Sequence, residues 1–525
     1  MQRKFIRIAA CLTAALMLTG MLASCAARQE SPTSAPSSGS SGKLLPEPVT
    51  FDMWIVENAA YLYQKDMLVE RAIADATNVH FNVSAFQDGS VEKVNLGLAS
   101  GDLPDIYFNA LHANASEWGV QGALVDFTKH IGDMPNFSKW LTEMKATKGD
   151  YVDYFYSAGG ELFIMPCYGF GVANNNTYWM YRKDIFDKHN LKTPNNEDEF
   201  YQVCMDLKEL YPDSYPFVQD GFAPNPQVMD RIAYQFGSAY PSYYNNDQAQ
   251  WVYGPVEPGF KKAVEWLARM YADELLPSNI LSMDNATWRE YVTTNRGFIL
   301  THYQANQSGF NSQMKESIPD VEWHYMPPWE GGGSGVKTIN PQTQLIISGY
   351  TAFTTSKKIP ELIKFYDWLY TEEAKIITSW GVEDESYIVN PDGSWSHIDI
   401  SPGDDGLKIT HLYGLFQRGF YCVTDPAGQL SYADEGIKYS WQKVQEDSGP
   451  YRIPSIAFTL ERQDRRNPLI TPIQNHMIEN VGKFITSQRP IDEYDKFVEE
   501  LYAMGLTELM EIANEQQAEI NANRK

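Results

Sequence analysis

The chain has 525 residues, a formal net charge of −25, 43% hydrophobic residues and 21% charged ones. These are globular proportions, and the length exceeds what one hydrophobic core organises, so two or three domains, or two large lobes, are expected. The acidity argues against nucleic acid or an anionic membrane surface as a partner and disfavours a highly anionic ligand.

The first predicted element is a targeting segment. Arg3, Lys4 and Arg7 form a basic start, an apolar stretch runs from Ile8 to Met21, and Leu22-Ala23-Ser24-Cys25 closes it. That stretch is short for a membrane span, which needs about 20 apolar residues, and its order matches a lipoprotein signal. Residues 1–24 are read as a signal peptide, with Cys25 the acylated new N-terminus. Residues 25–48 then form the lipidated end and a Ser/Pro/Gly tether with almost no apolar surface to bury. A soluble body anchored by lipid to the outer face of the cell membrane is expected, with multiple acylation because one chain holds only marginally.

Val49–Ile55 then reads as a strand, Asp66–Thr77 as a helix, Val79–Val83 as a strand, Val91–Ser100 as a helix and Asp105–Phe108 as a short buried strand. Such β-α-β-α-β order predicts a mostly parallel sheet, with ligands beyond the carboxyl ends of its strands. Here those ends lie near Trp54–Asn58 and Asn109–His112. Farther on, Tyr178–Tyr181 reads as a strand. A helix opens with a capping box at Asn196 and Glu199 and runs to about Tyr211. Lys261–Leu275 is an amphipathic helix, Gly297–Tyr303 a strand with a polar end, Pro327–Gly335 a loop and Leu345–Ile347 a strand. Pro360–Tyr370 is a helix, and Tyr494–Asn521 is mostly helical with a break near Gly505. The class is α/β throughout.

Apart from Cys11 in the apolar stretch and Cys25, the cysteines are Cys167, Cys204 and Cys422. Their odd number and wide spacing give neither a disulfide framework nor a metal pattern, and one bridge among them is left open. Gly331–Thr338 resembles a phosphate loop only superficially, because Val336 breaks the required Gly-Lys-Ser/Thr. The acid pairs Asp404-Asp405 and Glu499-Glu500 read as solvated faces. No metalloprotease, nucleophile-elbow or paired-cysteine motif occurs, so neither a metal nor a cofactor is expected. The chain carries 13 Trp, 32 Tyr and 25 Phe, and an excess of flat rings suits clefts that stack on pyranose faces.

Leu98-Ala99-Ser100-Gly101-Asp102-Leu103-Pro104-Asp105-Ile106, Tyr181–Asp184 with Leu191–Pro194 and Asp198–Phe200, Trp251–Tyr253, Leu275-Leu276, Pro327-Pro328, Pro360-Glu361 with Phe365–Tyr370 and Gly381–Glu383, and Gly482–Thr486 with Phe497-Val498 and Gly505-Leu506 recur in that order. In this combination the chain resembles the bacterial extracellular solute-binding lipoproteins, family 1, of carbohydrate ABC transporters, which include alginate-oligosaccharide-binding members. The resemblance implies a type II periplasmic-binding-protein-like fold, with two lobes joined by a hinge and the ligand in the cleft between them. It places crossings near Pro166–Val172, Pro328–Thr343 and Thr371–Ile376. The N-terminal lobe would then be 49–167 plus 340–372, and the C-terminal lobe 168–339 plus 373–525. A calcium loop that many relatives carry is replaced by Tyr211-Pro212-Asp213-Ser214-Tyr215-Pro216-Phe217, which lacks the spaced oxygen ligands, so no calcium is expected there.

The implied function is to bind a carbohydrate, an oligosaccharide rather than a monosaccharide, by hinge closure and to deliver it to ABC permease subunits, as a monomer without enzymatic activity. A surface polysaccharide-degrading enzyme and a ligand-sensing partner of a membrane receptor are the alternatives. Candidate ligand contacts are Trp54, a stacking platform or an edge-of-core residue, and Asn109, a hydroxyl partner or a turn cap. Tyr168 and Phe170 lie on the first crossing, and His302 and Tyr303 end a strand of the second lobe. Trp329 follows the proline pair, as a contact or as loop packing, and Trp251 and Trp380 complete the set, with Trp288 weighed beside them.

Overall fold

The computed structural model describes residues 42–57, 62–87, 90–167, 177–221, 226–341, 348–402, 404, 407–417, 419–450 and 456–523. The signal segment, Cys25 and its tether, Tyr168, Phe170 and the strand expected at Leu345–Ile347 lie outside the described residues.

Strand β1 (Val49–Val56) alternates strictly: Phe51, Met53 and Ile55 are fully buried, while Asp52 is exposed and Trp54 half-buried on the other face. Helix α1 (Leu68–Thr77) carries the chain to β2 (Val79–Phe86), and α2 (Ser90–Ser100) leads to β3 (Ile106–Leu111). β1 pairs in parallel with both, and parallel neighbours require such helical crossovers. Helix α1 stops at Asn78, whose left-handed backbone (φ 62°) closes the last turn and whose side-chain amide donates to the Leu45 carbonyl at 2.8 Å.

After β4 (Met165–Pro166) the chain enters a second sheet at β5 (Thr177–Arg182). A hairpin, β6 (Ser242–Asn245) and β7 (Gln250–Tyr253), stands apart. β8 (Ile299–Tyr303) and β9 (Trp323–Tyr325) flank β5, both antiparallel to it. β10 (Ser348–Ala352) then returns to the first sheet and runs antiparallel between β3 and β4, giving the order β2-β1-β3-β10-β4. Gly349 makes that insertion feasible, because a Cβ there would meet the Met165 carbonyl oxygen at 1.9 Å.

Each sheet is covered on both faces. On one face of the first lie Phe51, Met53 and Ile55 with Phe365 and Tyr366 of the helix Ile359–Trp368, and on the other Tyr107, Trp118 and Phe163. In the second sheet Trp179 faces Phe200, Phe217, Trp266 and Trp329, whereas its neighbours Tyr178 and Met180 face Trp288, Leu300 and Trp323. That alternation is the period of two of a strand buried on both faces. The expected cap forms in part: Asn196 Oδ1 accepts from the Glu199 N–H at 2.9 Å, but the Glu199 carboxylate accepts from the N–H of Asn195, one residue before the N-cap, at 2.9 Å. The C-terminal break falls at Gly505 (φ +98°), between Tyr494–Ala503 and Leu506–Asn523.

The expected lobe boundaries need one correction. Thr371–Ile376 is not a crossing, because Thr371 caps the helix Glu372–Ser379 and Ala374 joins the first core. Ile409, Leu415, Phe416, Phe420, Tyr421 and Cys422 are in that core too, and the second core resumes only at Ala433. The cause is aromatic packing: Phe420 meets Phe81 edge-on at 5.4 Å and stacks on Tyr63 at 6.0 Å. Tyr432 still packs against the first core, immediately before Ala433 of the second.

Candidate functional site

A cleft with a cavity volume of about 180 Å³ is lined by residues of both cores. Asp404, Leu407 and Thr410 line it beside Phe416 of the first core. Gln304, Ala305 and Ser308 line it opposite, with Tyr432, Asp434 and, from the second core, Trp441. Rings and aliphatic groups thus alternate with amides and hydroxyls, the mixture that receives a ligand having both apolar faces and hydroxyl edges. Ala305 and Ser308 are placed by the helix Ala305–Met314, which starts two residues after β8 ends.

Both carboxylates of the cleft are partly committed. Asp404 accepts from Lys408 Nζ at 2.8 Å and from the Ser401 N–H at 2.8 Å, and these contacts hold its carboxyl below the ordinary range. Asp434 caps the helix Glu435–Asp447 by accepting from the Ile437 N–H at 2.7 Å. Asp404 is therefore a lining residue bound to Lys408 rather than part of a solvated face. Glu500 of the second acid pair is likewise half-buried, held by Arg489 at 2.9 and 3.0 Å.

The residues singled out in the sequence divide into three groups. Trp54 stands near the carboxyl end of β1, half-buried. Phe86 meets it edge-on at 5.9 Å, and Lys93 Nζ sits 4.7 Å above its ring. Asn109 lies on β3, near its end. His302 and Tyr303 end β8 beside the cleft helix. His302 is held from every side: it stacks on Trp288 at 4.6 Å, its Nδ1 accepts from the Tyr303 N–H at 2.8 Å, and Nε2 faces Asp220 at 3.3 Å. Burial lowers its pKa below the ordinary value, so the ring is neutral and Nε2 carries the proton toward Asp220. Tyr303 donates its hydroxyl to Gln227 at 2.8 Å and faces the Arg231 guanidinium at 5.6 Å.

The third group is core, contrary to expectation. Trp329 is completely buried, with Phe200, Trp179 and Trp266 ring centroids within 5.0–5.2 Å. Trp380 is buried against His397 at 4.7 Å and donates to Asp425 at 2.8 Å. Trp251 donates to Gln517 at 3.1 Å and packs with Tyr154 and Ile456. Their indoles satisfy packing demands and present no free face. The glycine run at 331–335 is a tight turn, with Gly332 and Gly333 at φ +60° and +70°, and Lys262 donates to the Gly332 carbonyl at 2.7 Å.

Sequence reasoning missed the cleft's 404–441 wall. The available signal was Tyr432 and Trp441 flanking an Asp434 helix cap, but nothing local says that this stretch faces residues 304–308.

Comparison with known proteins agrees with this architecture. The chain is 21% identical to the fructooligosaccharide ABC transporter substrate-binding protein FusA of Streptococcus pneumoniae, over 99% of each chain. It is 20% identical to the polygalacturonan/rhamnogalacturonan-binding protein YtcQ of Bacillus subtilis, over 93% of this chain and 94% of that one. The crystal structure of the alginate-binding protein AlgQ2 without calcium ion superposes with a TM-score of 0.75 at 18% identity, covering 91% of this chain and 99% of that one. The fold is that of the type II periplasmic solute-binding proteins. The family profile described as bacterial extracellular solute-binding protein matches residues 65–376. That match spans more than half of the chain, and the protein belongs to the bacterial extracellular solute-binding protein family.

Proposed function

We propose that this protein is the carbohydrate-binding component of an ABC importer, taking an oligosaccharide between its two lobes and delivering it to membrane permease subunits. The observation that carries the reading is a cleft walled by two separate cores and lined by rings, amides and hydroxyls. A ligand touching both walls favours the closed form, because only there are both sets of contacts made. Relatives described as binding fructooligosaccharide and polygalacturonan support an extended sugar over a monosaccharide. Trp54, Asn109, Tyr168, Phe170 and Tyr303 are proposed as further sugar contacts, with His302 holding Tyr303 through its backbone N–H.

The protein acts as a monomer and makes or breaks no bond in its ligand. Cys25 carries the lipid that keeps it beside its permease, on the outer face of the membrane. Calorimetric titration with neutral and uronate oligosaccharides, followed by chromatography of each mixture, tests the reading. Saturable binding with the sugar recovered intact is expected, and shortened products would show an enzyme instead. A Cys25→Ala variant should bind sugar normally and support little uptake in cells, whereas full uptake would remove the anchor from the mechanism.

A further inference from the structure

Cys167 and Cys422 lie 255 positions apart in sequence and meet in the first core. Cys167 directly follows β4, and its thiol donates to the carbonyl of Tyr421, the neighbour of Cys422, at 3.3 Å. The Cys422 thiol is buried in the same core, next to that carbonyl's residue. Both are buried, and both are free in this structure. Tyr370 closes the site, donating its hydroxyl to the Pro166 carbonyl at 2.7 Å and approaching the Cys422 sulfur. Cys204 is packed in the other core and takes no part.

Cys167 follows β4, and Cys422 lies on a late segment that the first core holds through Leu415, Phe416, Phe420 and Tyr421. A bridge between them would tie that late segment to the end of β4. Extracellular proteins fold where disulfides persist, and a bridge across so long a loop removes much chain entropy from the unfolded state.

We infer that Cys167 and Cys422 form a disulfide in the secreted protein, fastening the end of β4 to the 415–422 segment of the first core. The oxidant is an external disulfide, either of a thiol oxidoreductase or of a small thiol. The thiolate of one cysteine attacks a sulfur of that disulfide and expels the first thiolate. The second cysteine attacks the mixed disulfide and expels the other. Two cysteine S–H bonds are lost, one S–S bond forms within the protein and one breaks in the oxidant, whose two sulfurs leave as thiols. Burial raises the Cys167 thiol pKa well above its ordinary value, so the folded core holds little thiolate. The bridge accordingly forms while the core is still open, during folding after export.

The test uses the native protein extracted from the cells that secrete it, denatured in an alkylating reagent without reductant and digested with trypsin. Peptides 149–182 and 419–438 should be recovered as one linked species, with Cys204 alkylated. A parallel sample refolded with oxidised glutathione should give the same link, and reduction should lower its Tm by about 5–10 °C. The shift should persist in Cys204→Ser and vanish in Cys422→Ala. Full alkylation of Cys167 and Cys422 in both samples, or an equal reductive shift in Cys422→Ala, would overturn the inference.

Discussion

At the scale of single residues, Trp329 shows how a ring can be prominent in the sequence and inert toward a ligand. Its indole is enclosed by Trp179, Phe200, Phe236 and Trp266, so its removal leaves a large cavity. Trp329→Ala should lose about 3–5 kcal/mol of stability by chemical denaturation. The milder Trp329→Phe should bind sugar with unchanged affinity; weaker binding at unchanged stability would return the residue to the cleft. His397 makes a different prediction. Burial lowers its pKa to about 4, although both ring nitrogens face carbonyls, of Ser386 at 3.3 Å and Gly428 at 3.2 Å. Above pH 6.5 the ring is neutral in both the folded and unfolded states, so stability is insensitive to it there. As pH falls from 6.5 toward 4, only the unfolded state takes up the proton, and up to roughly 3 kcal/mol is lost. The stability of wild type minus that of His397→Gln should therefore be flat above pH 6.5 and decline below it. A difference that grows as pH falls would reverse the assignment.

At the scale of elements, the segment 211–217, where no calcium is expected, shows side chains bracing a loop. Lys208 Nζ donates to the Ser214 carbonyl at 2.8 Å and lies 4.9 Å over the Tyr215 ring. Arg296 donates to the Asp213 carbonyl at 3.2 Å, with its guanidinium 4.4 Å from the Tyr291 ring. Two fixed cations thus hold the loop's carbonyls. Calcium should leave Tm within about 1 °C, and Lys208→Met should cost about 1 kcal/mol, the scale of one partly exposed hydrogen bond. A calcium-dependent rise of several degrees would refute the bracing role. The same scale explains what could be read from sequence. β1, β2, β3 and their helices were legible because each rests on a local period of apolar residues. The crossing misplaced at Thr371–Ile376 was not legible, because the attachment of 374–422 rests on rings such as Phe420 meeting Phe81, more than 300 positions away. Trp251 and Trp380 were misread for the same reason. The partners that bury them, Gln517 and Asp425, lie 266 and 45 positions away.

At the scale of the whole molecule, two walls from two cores make binding a conformational event. Gln304 belongs to the second-lobe wall and Asp404 to the first, and neither is part of a hydrophobic core. Loss of one hydrogen bond to a sugar is worth about 1–1.5 kcal/mol, close to tenfold in affinity. Gln304→Ala and Asp404→Ala should each weaken sugar binding about tenfold with little change in unfolding midpoint. If closure is the mechanism, saturating sugar should also reduce the radius of gyration in solution scattering. Each variant should reach the same compact form at higher sugar concentration, because it lowers the ligand's preference for the closed state without changing that state. An effect confined to one wall, with no compaction at saturation, would mean that the sugar rests on a single lobe, and hinge closure would have to be abandoned as the step that readies the protein for its permease.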